Sequence, residues 1–211
     1  MNLLEKIHGH YVHNRRVRVL TEQLSALLPD QGRILDIGCG DGLLASLLQR
    51  AKPHASIMGI DVMVRPDTHI PVQKFDGRTI PFDDGTFDAV MFVDVLHHTD
   101  APATLLQEAS RVTRGLIVLK DHNREGLTAE AILRFMDRIG NRRHNVPLPH
   151  NYWPKQTWLD AFAQLNLRVD VWIDHVGLYP LPLDWFFGRP LHFIARLTLL
   201  DYSVSASSHA I

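Results

Sequence analysis

Arg33-Ile34-Leu35-Asp36-Ile37-Gly38-Cys39-Gly40-Asp41-Gly42 decides the fold. Ile34, Leu35 and Ile37 make a short apolar run of the kind that forms a buried strand, and three glycines at alternate positions follow it. Leu43-Leu44-Ala45-Ser46-Leu47-Leu48 comes next, with spacing that suits a helix. A strand that ends in a glycine loop and feeds a helix exposes bare backbone at the carboxyl edge of a sheet. Open α/β folds bind their ligands in that crevice. Glycine serves there because a side chain would block the approach of a ligand, or because the turn requires positive φ.

Three further stretches follow in order: Gly59-Ile60-Asp61-Val62, Phe75-Asp76-Gly77, and Phe87-Asp88-Ala89-Val90 running into Asp94-Val95-Leu96-His97-His98. On these residues the chain resembles the class I S-adenosylmethionine (SAM) dependent methyltransferases, with Asp36 to Gly42 standing as their motif I. The nearest branch is the one that includes the quinone-biosynthesis methyltransferases (the methyltransferase type 11 domain). The resemblance runs from Arg33 to Asp121. It implies an α/β, Rossmann-like fold with helices on both faces of a seven-stranded sheet of order 3-2-1-4-5-7-6, the last strand antiparallel. It also implies SAM as cofactor, bound by Asp36, Gly38, Cys39 and Gly40 of the loop, by Asp61 and Val62, by Asp76 and Gly77, and by Asp94.

Each position has a chemical role in that reading. Asp61 ends the second strand about twenty residues beyond the loop, where a carboxylate can accept from both ribose hydroxyls. By resemblance, Asp76 accepts from the adenine amino group and a backbone N–H near Gly77 meets a ring nitrogen. The segment from Asp94 to Asp100 lines the methionine end of the cofactor and the acceptor pocket. A dinucleotide-binding unit also has a glycine loop and a later acid, but its pattern is G-x-G-x-x-G. Here Gly42 comes one residue early and Leu43 fills the expected place, which sets the NAD(P)-dependent oxidoreductase reading aside as an alternative. A second alternative is a SAM-binding interaction module that transfers no methyl group.

The composition narrows the partners. A chain of 211 residues is read as one domain, with 45% hydrophobic and 21% charged residues as in ordinary globular proteins. A net charge of -1 offers no electrostatic grip on nucleic acid. The single cysteine, Cys39, excludes an intrachain disulfide, fits a reducing compartment, and reads as a small filler of the glycine loop. With no signal peptide and no apolar run long enough to span a bilayer, the expected compartment is the cytoplasm. Peripheral lipid contact and the oligomeric state stay open.

Residues 1–30 are expected to form a helical lid, residues 1–200 the methyltransferase domain with a variable acceptor lid at 122–155, and residues 201–211 a tail. His8, His10 and His13 lie in the first lid without a carboxylate or cysteine at metal-ligand spacing, so they read as exposed histidines. Strands are expected at Ser56–Asp61, Val72–Phe75, Phe87–Val93, Leu116–Leu119, Leu167–Ile173 and Leu191–Leu199. Helices are expected over Ala101–Val112, after Thr128 as cap, and around Trp158 to Leu165 with Asn166 as left-handed terminator. Ile132, Phe135, Met136 and Ile139 share one helical face. The stretch Gly177 to Phe187, rich in aromatics and prolines, reads equally as a pocket wall or as a loop folded on the core.

SAM carries its own activation, so the protein must align acceptor and methyl and exclude water. A hydroxyl or acidic carbon as acceptor benefits from a general base, and histidine has a suitable pKa. The candidates are His97 or His98 after the fourth strand and the Asp121-His122 pair after the fifth. His98, His122 and Asp121 are taken as the catalytic set, with His144, His150 and Tyr152 in reserve. No Asn-Pro-Pro-Tyr stretch, no Pro-Cys nucleophile and no basic surface point to a base in DNA or RNA. A small, apolar or aromatic metabolite is the expected acceptor.

Overall fold

Glycine and proline turns cut the apolar segments into strands and helices that alternate along the chain. The computed structural model describes residues 3–140, 151–181, 184 and 191–200. Strands β1 (Gln31–Ile37), β2 (His54–Asp61), β3 (Val72–Lys74), β4 (Phe87–Val93), β5 (Thr113–His122), β6 (Leu167–Ile173) and β7 (His192–Leu199) form one sheet. Its order is β3-β2-β1-β4-β5-β7-β6, with β7 antiparallel to both neighbours. Helices α1 (Leu3–Leu27), α2 (Leu43–Ala51), α3 (Pro102–Val112), α4 (Ala129–Gly140) and α5 (Lys155–Gln164) complete the fold.

Side-chain alternation along the strands builds two cores. Leu35, Ile37, Val90, Phe92, Ile117 and Leu119 face α3 and α5, where Trp158 and Phe162 are fully buried. Ile34, Ala89, Met91, Val118 and Ile194 face α1 and α2, meeting Leu20, Leu24 and Leu48. Each large side chain so buried contributes about 1.5–3 kcal/mol. Strands buried on both sides read as continuous apolar runs, which is why β4 stands out in the sequence.

Helix α5 ends as its sequence dictates: Asn166 adopts φ 54°, a left-handed conformation asparagine tolerates. Helix α4 differs from its apolar pattern, because Ala129 and Leu133 face inward with Ile132 half-buried, and Phe135 is 56% exposed. Among the described residues, the inward stripe of α4 packs against Tyr152 and Leu191. In the aromatic loop, Val176 and Leu178 pack on the α1 side of the sheet; Phe186 and Phe187 lie outside the described residues, as do His144, His150 and the 201–211 tail. Among the described residues no helix is long and apolar enough to cross a membrane.

Candidate active site

Two groups of polar residues meet at the carboxyl ends of the parallel strands. The first is the glycine loop between β1 and α2. Gly38 donates its N–H to Ile60 O at 2.8 Å, which folds the loop back over β2. Gly38 and Gly42 have φ 71° and 75°, and neither has room for a side chain. A Cβ would fall 2.6 Å from Val95 Cγ2 at Gly38 and 2.4 Å from Ile70 Cγ1 at Gly42. Cys39 packs its sulfur against Gly59, and burial pushes its thiol pKa up, so it is a filler and not a thiolate.

Asp61 closes this loop from the end of β2. Its Oδ2 accepts the Gly40 N–H at 2.8 Å and its Oδ1 accepts the Met63 N–H at 2.8 Å. A carboxylate has about four acceptor sites, so one on each oxygen remains for a ligand. Val62 lies 49% exposed beside Asp61, with its Cγ1 3.0 Å from where a Gly77 Cβ would stand. Asp76 spends Oδ1 on the N–H groups of Arg78 and Thr79, at 2.8 and 2.7 Å. Its Oδ2 has no hydrogen-bond partner among the described residues. Asp36 is buried in β1 with no paired cation among the described residues, and burial together with Asp61 pushes its pKa up to about 8.

The second group lies at the ends of β4, β5 and β7. Asp94 follows β4 with φ 58°, and its carboxylate is held by Arg16 of α1 and by Lys120 of β5. Lys120 is fully buried. Burial alone would raise the Asp94 pKa, but Lys120 and Arg16 reverse the sign and hold it well below the usual range. Lys120 is pulled the other way, its pKa lowered chiefly by burial.

Alternation along β5 sends Lys120 and His122 to the α1 side and Asp121 to the opposite side. There Asp121 Oδ2 accepts the Leu96 N–H at 3.0 Å, and Oδ1 lies 2.6 Å from His97 Nδ1. The ring that Asp121 orients is therefore His97. A tight turn over Leu96–His98 aims His97 at β5 and leaves His98 half-buried beside it, with ring centroids 3.9 Å apart. His122 Nδ1 stands 3.3 Å from His97 Nδ1, and Tyr152 stacks on His97 at 5.6 Å. Burial, with His97 and Lys120 nearby, pushes the His122 pKa down to about 4. Both Asp121 and His97 are almost wholly buried, and histidine partners hold the Asp121 pKa down against its burial.

His97, Asp121 and His122 bring three ligand-type atoms together. On a tetrahedral zinc with bonds of about 2.0–2.1 Å, two such atoms stand roughly 3.3 Å apart. The 2.6 Å between His97 and Asp121 is instead the length of a charge-assisted hydrogen bond.

The structure thus brings His97, Asp121, His122 and Asp94 into one cluster and sets the glycine loop, Asp61, Val62, Asp76 and Gly77 around the neighbouring crevice. Sequence reasoning missed Arg16, Lys120 and His192 as members of the cluster. A lysine at the end of an apolar strand was a local signal for Lys120. For Arg16 and His192 the signal is their tertiary placement alone.

Residues 8–170 match the methyltransferase domain family. The chain is 32% identical to a ubiquinone biosynthesis O-methyltransferase of Cereibacter sphaeroides over 93% of its own length and 83% of that protein. It is 32% identical to a ubiquinone/menaquinone biosynthesis C-methyltransferase of Desulfotalea psychrophila over 41% of this chain and 39% of that one. A solved S-adenosylmethionine dependent methyltransferase from Mesorhizobium loti superposes with a TM-score of 0.62 at 17% identity, covering 85% of this chain and 97% of the other.

Proposed function

The chain belongs to the SAM-dependent methyltransferases, and from that premise we propose that it methylates a hydroxyl of a small, apolar or aromatic metabolite in the cytoplasm. The observation that carries the hydroxyl is the buried His97–Asp121 pair, with 2.6 Å between Nδ1 and the carboxylate. A carboxylate accepting from Nδ1–H fixes the tautomer whose Nε2 carries a lone pair. That nitrogen can take the proton of an acceptor hydroxyl as its oxygen attacks. The resemblance of the whole chain to an O-methyltransferase supports the same atom.

SAM supplies an electrophilic methyl group on a sulfonium. Its fit rests on the acceptor sites that Asp61 and Asp76 have left over and on Gly40, where the bare backbone has nothing nearer to a would-be Cβ than the end of the Arg65 side chain at 3.4 Å. The backbone of Gly38, Cys39 and Gly40 would admit it, Asp61 would bind the ribose, and Val62, Asp76 and Gly77 would border the adenine. Asp94 stands at the junction between this crevice and the histidine cluster. His97 is favoured as base because it is the ring that the Asp121 carboxylate holds, whereas His122, with a pKa of about 4, is a weak proton acceptor. Burial of the cluster excludes water from the proton transfer.

The test is transfer of labelled methyl from SAM to a library of phenols and related hydroxyl compounds. His97→Asn should cut turnover by about 10²–10⁴-fold while SAM affinity stays near wild type. Equal turnover in the variant would remove His97 from the reaction.

A further inference from the structure

His192 opens β7 directly opposite His122 in the β5–β7 ladder, so its side chain falls on the α1 side beside Lys120. It is 2% exposed. Its Nδ1 lies 3.2 Å from Lys120 Nζ, which also holds Asp94. An ammonium group has donors only, so Nδ1 must accept from it and the ring proton must sit on Nε2. Burial and the nearby lysine both disfavour a second proton on the ring. The result is a neutral imidazole with one N–H donor, and that Nε2 has no hydrogen-bond partner among the described residues.

A buried donor without a partner is costly, and proteins keep few of them. This one lies against the catalytic cluster: the ring of His122 has its centroid 4.8 Å from that of His192 and 4.3 Å from that of His97. His192 and His97 thus both adjoin His122. One residue before His192, Leu191 O accepts the N–H of Asn123, whose buried Oδ1 also has no partner among the described residues. Of these two atoms it is the His192 Nε2–H that stands beside the His122 ring, and it marks a place where an oxygen of a ligand belongs.

We propose that His192 is a specificity contact: its Nε2–H donates to a second oxygen of the methyl acceptor, so the site selects a hydroxyl compound bearing another oxygen. This rests on the reading of the cluster as the acceptor site. An acceptor lacking that oxygen leaves the donor buried and unpaired, which is the strongest way for a pocket to reject an analogue.

The experiment separates this from a purely structural role as the acceptor for Lys120. Asparagine places its polar atoms near the position of Nδ1, and glutamine near that of Nε2. With the full chain, kcat/KM for phenol, catechol, resorcinol, hydroquinone and 4-hydroxybenzoate is measured for wild type, His192→Asn and His192→Gln. S-adenosylhomocysteine affinity is measured by calorimetry alongside. Wild type should prefer at least one two-oxygen probe over phenol by about tenfold or more. His192→Asn should erase that preference and His192→Gln should restore part of it.

A wild type without the preference, or a His192→Asn variant that keeps it, overturns the inference. So does a wild type that binds S-adenosylhomocysteine yet methylates none of the two-oxygen probes, whereas failure to bind S-adenosylhomocysteine sinks the premise instead. Nitrogen-15 spectra of wild-type histidines give a reading that needs no variant. His192 should show the Nε2–H tautomer, with a proton resonance that moves on adding the preferred probe and stays on adding phenol. The Nδ1–H tautomer would refute the assignment.

Discussion

Asp36→Asn should make the protein more stable, and by an amount that depends on pH. Asp36 is 4% exposed at the end of β1, no cation or N–H donor pairs with it among the described residues, and Asp61 adds a like charge nearby. Its carboxyl stays protonated up to about pH 8, whereas in the unfolded chain it ionises at about 3.9. One unit of pKa is worth about 1.4 kcal/mol, so at pH 7 the group costs about 4 kcal/mol of stability. The sign follows from proton binding. The folded state holds a proton that the unfolded state gives up, so this contribution falls as pH rises from about 4 to about 8 and is level outside that window. Asparagine has nearly the same shape and no such titration. Urea unfolding of the cofactor-free protein at pH 4.5, 6, 7.5 and 9 is the assay. The gap between variant and wild type should be about 1 kcal/mol at the lowest pH, widen by about 1.4 kcal/mol per unit, and stop growing near pH 8. A gap that is constant with pH would mean that Asp36 is ionised in the fold, and the argument from its burial would be wrong. If Asp36 also serves SAM, the stabilised variant should bind the cofactor more weakly, as when a strained site is relieved.

Three other substitutions probe the rest of the site. Asp61→Ala removes a charged acceptor and should weaken SAM binding by about 1–3 kcal/mol in calorimetry, whereas unchanged affinity would leave Asp61 only its bonds to Gly40 and Met63. Gly42→Ala puts a Cβ 2.4 Å from Ile70 Cγ1 at φ 75°; it should lower unfolding free energy by about 2–4 kcal/mol from backbone strain and overpacking together, and a melting temperature equal to wild type would show that the loop can relax. Asp121→Asn leaves the Leu96 and His122 N–H groups and the His97 ring with a poorer partner, so it should cost about 3–5 kcal/mol in urea unfolding. Because the folded Asp121 pKa is depressed, wild type should itself lose this stabilisation as pH falls below about 4, and the variant should not.

What could be read from the sequence was whatever depends on short-range pattern. The apolar run of β1, the alternate glycines and the helix behind them are neighbours in the chain, and their physics is local. Asn166 belongs with them, because its left-handed conformation answers a need of the helix it ends. The choice between His97 and His98 was not local. Both rings sit on one tight turn, and that the first of them meets Asp121 depends on where β5 places the carboxylate. Arg16 was hidden among Arg15 and Arg18 on a long helix, since spacing alone does not say which one faces Asp94. His192 became visible only through the antiparallel register that sets it against His122.

Asp94 explains why these distant residues form one unit. A left-handed conformation at a residue other than glycine costs about 1–3 kcal/mol and persists only where its surroundings enforce it. Here the enforcement comes from Arg16 and Lys120, two cations on separate elements that converge on one half-buried carboxylate. The turn at Asp94 redirects the chain after β4, so that the Leu96 N–H and the His97 ring reach Asp121. Lys120 meanwhile fixes the tautomer of His192 through Nδ1. The lysine therefore joins Asp94 to the histidine cluster. Removing its charge would leave Arg16 to hold the half-buried Asp94, free the strained turn to relax, and release the proton position on His192. If His97 is the base and His192 the specificity contact, as proposed, the loss in activity of a Lys120→Met variant should exceed its loss in stability, measured as kcat/KM beside urea unfolding, because both groups would be displaced together.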